Sequence, residues 1–357
     1  MKRAQSDGSV EGNGQPRRRR LKSLLKLAGY LGLLLLVSLV ILINFTVGWR
    51  PFIGPKVRPL TDRHFEPTQA RLERGRYLVE GPLHCFQCHA QPDRNAPGAP
   101  PLEGTEGGGR VWSEEGYPWL VTPNITPDKE TGAGNWTDDM LARAIREGIG
   151  HDGRALFPLM PYRSFSHLSD EDLASVVVYL RSIKPIRSEL PKTKTPAMLS
   201  VILNTMPEPV TAPVPQPDLS TPVKRGEYLA KISDCAGCHT PRGRMSPEIP
   251  GLEFGGGNVF GQGKETVAVA NITPDPTGIP YYDEALFLDV MHTGKVKARV
   301  LSPLMPWFYL GKMSDDDLKS IFAYLRTVKP VRHEVDNTEP PTKCRICHQV
   351  HGLGERN

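Results

Sequence analysis

The hydrophobic residues of this 357-residue chain form one long uninterrupted run near the N-terminus. From Leu27 to Trp49 no side chain is charged, and a helix of that length spans about 34 Å, enough to cross a bilayer. A cleaved signal peptide would have an apolar core of about 7–15 residues followed by small side chains, whereas this run ends in Phe45, Trp49 and Arg50. The pattern predicts an uncleaved transmembrane anchor over residues 27–49.

Two shorter stretches show the apolar spacing i, i+3, i+4, i+7 of an amphipathic helix. The apolar positions are Leu173, Val176, Val177 and Leu180 in the first stretch, and Leu318, Ile321, Phe322 and Leu325 in the second. Ser169 and Ser314 each stand three residues before an aspartate, which is the spacing of a capping box. A Lys-Pro pair follows each stretch, so we expect two helices that each bury one stripe.

These helices belong to a longer internal repeat. The matched segments are Arg74–Leu78 with Arg225–Leu229, Asn124–Asp128 with Asn271–Asp275, Pro158–Pro161 with Pro303–Pro306, and Leu168–Pro185 with Met313–Pro330. Gly75 and Gly226 would allow an earlier helix to approach the final helix of each repeat closely. The repeat predicts two small domains, over residues 66–190 and 220–335.

Composition agrees with short regular elements. The chain has 34 Gly and 35 Pro, so it is rich in loops, and its 39% hydrophobic content excludes wholesale disorder. Eight prolines fall between Pro191 and Pro222 without periodicity, which predicts a semi-rigid extended linker over residues 191–219. The remaining residues, 336–357, form a short tail. The fold class we expect is mainly α.

The positive charge is concentrated at one end of the chain. Residues 1–26 hold eight basic and two acidic side chains, so this segment has a net charge of +6. Because the whole chain has a net charge of +5, the remaining residues have a net charge of −1. A neutral body argues against a nucleic-acid-binding domain. Because basic residues such as Arg17–Arg20 tend to stay in the cytoplasm, we expect a single-pass protein of the inner membrane with a periplasmic body.

All six cysteines lie in Cys-x-x-Cys-His pentapeptides, a pattern of covalent haem attachment. The predicted attachment residues are Cys85, Cys88, Cys235, Cys238, Cys344 and Cys347, and the predicted iron ligands that follow them are His89, His239 and His348. Cysteines three positions apart share one side of a helical turn, where both sulfurs can bond one haem, and the next histidine can ligate its iron. Neither a zinc site nor a thioredoxin-like site would account for the repeated histidine.

An electron-carrying haem needs a second axial ligand, and methionine is the expected one because its thioether raises the potential. Met160 and Met305 occupy the same Pro-x-Met-Pro turn in the two repeats, about 70 residues after the cysteines. A single methionine is usually a flexible core filler, but repetition at one position favours the ligand interpretation. His151 and His292 are fallback ligands, although they do not align with each other.

The repeats resemble the cytochrome c subunits of membrane-bound dehydrogenases of the alcohol and gluconate type. The shared motifs are CxxCH, NITPD, Gly134 to Trp136, PLMPY and LSDEDL, and the resemblance covers roughly residues 66–335. The resemblance implies two tandem class I cytochrome c domains, with iron held by His89 and Met160 in the first and by His239 and Met305 in the second. Unlike many of those subunits, this chain is expected to have an N-terminal anchor and no third complete domain.

The third motif, Cys344 to His348, stands nine residues from the C-terminus, so no methionine turn can follow it. One hypothesis is a third haem completed by His351, His333 or an external group. A second is a relic that still accepts haem. A third is a metal knuckle of Cys344, Cys347 and His351, which would lack a fourth ligand.

These features predict a multihaem c-type cytochrome that relays electrons between a periplasmic dehydrogenase and a quinone or terminal oxidase, without substrate chemistry of its own. The alternative is a multihaem enzyme such as a peroxidase, which needs one iron with an open sixth position. A haem-based sensor is disfavoured because about 26 cytoplasmic residues are too few for an output domain.

Overall fold

A computed structural model describes residues 15–46, 48–243, 248–261, 263 and 266–357. The chain divides into two compact units, Met1–Ile53 and Gly54–Asn357. Residues 1–14 of the predicted basic segment lie outside the described residues.

The first unit is dominated by one apolar helix. Helix α1 covers Gln15–Phe45 and a short helix, α2, covers Arg50–Ile53. Residues Arg20–Phe45 have a mean hydropathy of 2.4 over their most apolar window and are long enough to cross a membrane. The helix ends before Trp49, because Gly48 adopts a left-handed conformation and its N–H bonds back to the carbonyl of Ile43. The predicted apolar helix is therefore present, with an end at Phe45.

The second unit is built mainly from short helices, as expected. They are α3 Gln69–Glu80, α4 Cys85–His89, α5 Asp138–Glu147, α6 Tyr162–Phe165, α7 Asp170–Ser182, α8 Ala197–Leu203, α9 Pro222–Ile232, α10 Cys235–His239, α11 Glu284–Thr293, α12 Trp307–Leu310 and α13 Asp315–Leu325. A 3₁₀ turn covers Gly354–Arg356.

Eight short strands form four antiparallel pairs in the described part of the chain. They are β1 Arg110–Trp112 with β2 Tyr117–Thr122, β3 Val259–Phe260 with β4 Val267–Ala268, β5 Lys295–Val296 with β6 Arg299–Val300, and β7 Pro341–Lys343 with β8 Val350–Gly352. Each pair is a two-stranded sheet, so the strands shape loops and the helices supply the core.

The repeat in the sequence returns as a repeat of helix pairs. Helix α3 packs on α7, and α9 packs on α13 in the same way. A Cβ atom added at Gly75 would lie 2.0 Å from the carbonyl oxygen of Ser175, and one at Gly226 would lie 1.8 Å from that of Ser320. The predicted close approach of these helices is confirmed, and glycine is what permits it.

The final helix of each repeat starts and packs as predicted. The hydroxyl oxygens of Ser169 and Ser314 accept hydrogen bonds from the N–H groups of Asp172 and Asp317, at 3.0 and 3.2 Å. The two apolar stripes are buried in one hydrophobic cluster. Helix α13 ends at Leu325, which is earlier than its Lys-Pro pair suggested.

The proline-rich segment between the repeats is not wholly extended. Ala197–Leu203 forms helix α8, and Leu203 is buried. The segment also joins the first repeat through hydrogen bonds of Lys194 with Trp119 and of Val214 with Asp170. The expectation of an extended linker is wrong for this helix, because two turns are too short to show a period in the sequence.

The two repeats contact each other reciprocally. The hydroxyl of Tyr77 donates to Asp317 in the second repeat, and the hydroxyl of Tyr228 donates to Asp172 in the first. Arg74 and Arg225 pair with the same two carboxylates, each within its own repeat. Each aspartate therefore joins an arginine of its own repeat to a tyrosine of the other.

Candidate functional site

The first two Cys-x-x-Cys-His motifs each form a helix of little more than one turn, α4 and α10. Each helix is preceded by a residue in the left-handed conformation, His84 with φ of 37° and Asp234 with φ of 58°. The long helices α3 and α9 end only a few residues earlier, so the chain turns sharply and presents the motif. One helical turn brings both cysteines of a motif to the same side.

The two motif histidines are buried and oriented by the backbone. Nδ1 of His89 lies 2.8 Å from the carbonyl oxygen of Pro123, and Nδ1 of His239 lies 2.7 Å from that of Ala270. This contact places the N–H on Nδ1 and leaves the lone pair of Nε2 for a metal. Burial lowers the pKa of both histidines, so both are neutral and able to ligate.

The two Pro-x-Met-Pro segments form matching turns. The carbonyl oxygens of Met160 and Met305 accept hydrogen bonds from the N–H groups of Tyr162 and Trp307, at 2.8 and 2.7 Å. These two aromatic rings are buried against Gly148 and Gly294, which both have positive φ and leave space for them. Each methionine is half-buried on a turn held by the aromatic residue behind it.

Both motifs and both turns line one continuous cavity of about 1300 Å³. The predicted site residues in its wall are Cys85, Cys88, His89, Met160, Cys235, Cys238, His239 and Met305. Pockets for a single small molecule usually measure about 300–1,000 Å³, so this cavity has room for more than one group.

The lining fits haem c. Its walls are largely apolar, and the sulfur and imidazole donors that attach and ligate a haem are present twice. Four cationic side chains, Arg154, Arg242, Lys297 and Arg299, also line the cavity and suit the propionates of haem. Nε of Arg242 is buried and makes no hydrogen bond within the protein.

The fallback histidines differ in their availability. His292 is engaged at both ring nitrogens, by the carbonyl of Gly311 and by Asp315, so it is not free to ligate iron. His151 lies in the cavity wall, where its ring stacks on Trp136 with the centroids 4.3 Å apart. Neither histidine changes the assignment of the methionines as the expected ligands.

The NITPD segments brace the loops behind the motif histidines. Nδ2 of Asn124 donates to the carbonyl of Ile186, and Nδ2 of Asn271 donates to that of Val331, at 2.6 and 2.7 Å. Both asparagines are buried. Their role is to fasten the chain that follows α7 or α13 to the loop whose carbonyl orients the histidine.

Sequence reasoning missed the residues that precede the two motifs. Burial raises the pKa of Asp234 to about 6, although a hydrogen bond from the Ser164 hydroxyl at 2.6 Å acts in the opposite direction. Burial lowers the pKa of His84, at the equivalent position, to about 4. A titratable residue directly before each first cysteine was the signal in the sequence.

The third motif lies apart from this cavity. Cys344 and Cys347 are buried, His348 is exposed, and none of the three lines the cavity as the described residues define it. A haem at Cys344, Cys347 and His348 stays a prediction, since the structure brings both sulfurs against other side chains.

Comparison with known proteins matches part of the first repeat to one protein family. Residues 70–180 match the family model described as cytochrome c oxidase, cbb3-type, subunit III. This segment contains the first motif and the first methionine turn. The match agrees with the haem c chemistry of the cavity.

Two of the particular relatives are cytochrome subunits of dehydrogenases. The chain is 30% identical to the fructose dehydrogenase cytochrome subunit of Gluconobacter japonicus, over 76% of this chain and 56% of that one. It is 29% identical to the cytochrome c subunit of the quinone-type alcohol dehydrogenase of Gluconobacter oxydans, over 74% and 56%. It is also 29% identical to a diheme cytochrome c-type protein of Cereibacter sphaeroides, over 69% and 82%.

The chain spans about half the length of the two dehydrogenase subunits that it matches. The resemblance predicted from the sequence is confirmed by these matches, and so is haem c as the cofactor.

Proposed function

We propose that this chain is a membrane-anchored cytochrome that relays electrons from a periplasmic dehydrogenase to the respiratory chain, through a quinone or a terminal oxidase. The observation that carries the proposal is the single cavity lined by both attachment motifs and both methionine turns. A protein with one substrate site would not need two equivalent sets of iron donors in one interior.

Two groups of residues would hold the haems. Cys85 and Cys88 would attach the first, with His89 and Met160 holding its iron, and Cys235 and Cys238 would attach the second, with His239 and Met305 holding its iron. Haem iron supplies the redox chemistry by changing between its ferric and ferrous states. The protein contributes the ligand set, the apolar walls and the distance between the two groups.

Contacts between the repeats support transfer inside the protein. Nε2 of Gln87, in the first motif, donates to the carbonyl of Leu304 in the second methionine turn, at 3.4 Å. Ser164, just after the first methionine turn, donates to Asp234 beside the second motif. The first attachment motif therefore contacts the second methionine turn, and the residue before the second motif contacts the short helix after the first turn, so the two sites lie against each other.

The anchor and the domain division complete the proposal. Helix α1 exposes its apolar side chains from Leu21 onward, as a helix in lipid would. We assign residues 27–49 to the membrane, residues 66–190 and 220–335 to two cytochrome c domains, and the body to the periplasm. The basic residues before the anchor support this orientation.

The experiment is purification of the full tagged chain from its native membranes in mild detergent, followed by mass-spectrometric identification of bound proteins. We expect a catalytic dehydrogenase subunit in near-equal amount, and reduction of the haem bands when its substrate is added. A chain recovered without any dehydrogenase, whose haems turn over peroxide instead, would contradict the proposal and support the enzyme alternative.

A further inference from the structure

The C-terminal tail folds into a hairpin that carries the third motif at its tip. Strands β7 and β8 pair with Thr342 opposite His351, and the N–H of Cys344 donates to the carbonyl of Gln349 at 2.9 Å. The N–H groups of Ile346 and Cys347 both point at Sγ of Cys344, at 3.3 and 3.4 Å. Backbone donors directed at a sulfur stabilise its thiolate form.

Two histidines close a four-residue cluster around these cysteines. Nε2 of His333 lies 3.3 Å from Sγ of Cys344, and Nε2 of His351 lies 3.3 Å from Sγ of Cys347. All four side chains are buried, and their ligand atoms lie within 4.8 Å of one another. Around zinc, bonds of about 2.0–2.3 Å in a tetrahedron separate the ligand atoms by about 3.3–3.8 Å, so the cluster is near that spacing.

The second nitrogen of each histidine is also accounted for. Nδ1 of His333 lies 2.8 Å from the carbonyl of Gly255, and Nδ1 of His351 lies 3.1 Å from that of Gly352. These carbonyls fix the N–H on Nδ1 and turn the lone pair of Nε2 toward the sulfurs. A carbonyl behind the imidazole is the usual support of a metal-ligating histidine.

A glycine makes room for the cluster. Gly257 has a φ of +92°, and a Cβ atom there would lie 2.5 Å from Cε1 of His333 and 3.2 Å from Sγ of Cys347. The segment around it is bound on both sides, because Gly255 accepts from His333 and Gly256 donates to the carbonyl of His239 at 2.7 Å. The cluster thus packs against a segment that is hydrogen-bonded to His239 of the second motif.

We propose that His333, Cys344, Cys347 and His351 bind one zinc ion that fastens the C-terminal tail to the segment of residues 255–257. A tetrahedral set of two sulfurs and two imidazoles is a ligand set that selects zinc. On binding, each cysteine releases its thiol proton to solvent, and two thiolates neutralise the doubly charged ion. A buried site with no net charge avoids the desolvation cost of an isolated ion.

The same geometry disfavours the two other fates of this motif. A haem would need Cys344, Cys347 and His348 together, whereas His348 is exposed and the two sulfurs are enclosed with His333 and His351. A disulfide between the cysteines would leave the two buried Nε2 atoms of His333 and His351 without a metal ion to bind. The fourth ligand that a knuckle of Cys344, Cys347 and His351 lacks is supplied by His333.

The test compares two histidine variants of the full chain, His351→Gln and His348→Gln. His351 belongs to the cluster but not to the pentapeptide, while His348 belongs to the pentapeptide but not to the cluster. Each protein is purified, weighed intact, and analysed for metal by elemental mass spectrometry. Reduced protein is also treated with a chelator, dialysed and given Zn²⁺ alone.

We expect the wild type to carry two haems and one zinc, and to take zinc up again after chelation. His348→Gln should retain the zinc, whereas His351→Gln should bind it at least about 10-fold more weakly, since even loss of a residue supporting a ligand costs about 10–100-fold. The haem spectrum shows that each variant is folded. A third haem in the intact mass, a Cys344–Cys347 disulfide that reforms in place of zinc uptake, or equal zinc in both variants would overturn the proposal.

Discussion

At the residue scale, the contacts that matter most for metal binding are those that orient a ligand atom. His89 and His239 are each held at Nδ1 by one backbone carbonyl, so Nε2 is the atom left for iron. The methionines proposed as the second ligands are held less directly, by turns in which the methionine carbonyl accepts a hydrogen bond from the N–H of the aromatic residue two positions later. Ligation by a thioether therefore depends on the turn as well as on the side chain.

Replacing Met160 or Met305 by alanine should open the sixth position of one haem. We expect carbon monoxide to bind the ferrous variant, and the midpoint potential of that haem to fall by at least ~0.1 V, within the about 0.8 V range that axial ligands control. Potentiometric titration and carbon monoxide difference spectra measure both effects.

Met198→Ala is the matched control, because Met198 is 81% exposed on α8 and is not part of the cavity wall. It should leave both the potentials and the spectra unchanged. A variant at Met160 or Met305 that keeps its potential and excludes carbon monoxide would refute that residue as a ligand.

At the element scale, the body rests on two tightly packed helix pairs, α3 with α7 and α9 with α13. The space between the members of each pair is smaller than a methyl group at the crossing point. Each pair is joined directly to an attachment motif, because α4 and α10 follow α3 and α9 after a few residues. Helix packing therefore sets the position of both attachment motifs.

Gly226→Ala should destabilise the protein, although alanine is the better helix former. The added methyl group would lie 1.8 Å from the Ser320 carbonyl, so α9 must move away from α13. We expect the free energy of unfolding in denaturant to fall by about 1–3 kcal/mol, as for other overpacked sites.

Lys224→Ala in the same helix is the control for this prediction. Its side chain is exposed and pairs with an exposed aspartate, Asp218, so the stability should change little. Equal stability of Gly226→Ala and the wild type would show that the helices do not approach as closely as described.

Much of this architecture could be predicted from the sequence, because it depends on the spacing of residues that are close together in the chain. The apolar stripes, the serine caps and the repeated glycines each act within one helix or one helix pair. Helix α8 and the cluster at His333 could not be predicted in this way. Helix α8 is too short to show a period. The cluster depends on the tertiary fold, which places His333 against Cys344, 11 residues later in the chain.

At the scale of the whole molecule, the chain consists of a hydrophobic N-terminal unit and a body that forms one compact unit from Gly54 to Asn357. The predicted two domains meet inside that body through the reciprocal tyrosine and aspartate contacts and through the shared cavity. The interior of the body carries the proposed redox function, and the first unit carries the proposed attachment to the membrane.

A chain in which a cleavable periplasmic export signal replaces residues 1–53 should therefore be soluble without detergent. We expect it to contain the same amount of haem c and to show the same visible spectrum as the full chain, since every donor that lines the cavity lies within the body. Sedimentation of membranes and the pyridine haemochrome assay measure these properties. A shortened chain that stays in the membrane pellet would refute the assignment of α1 as the anchor.

The reciprocal contacts between the repeats have the form of an isologous interface, in which both copies use the same surface. A tyrosine of each repeat contacts the equivalent aspartate of the other. Two separate copies of one repeat could form such contacts only when they meet in solution. Here the connecting segment keeps the copies together, so each is present at a high effective concentration for the other. The tandem chain thus behaves as a permanently tethered dimer whose pairing does not depend on how dilute the protein is.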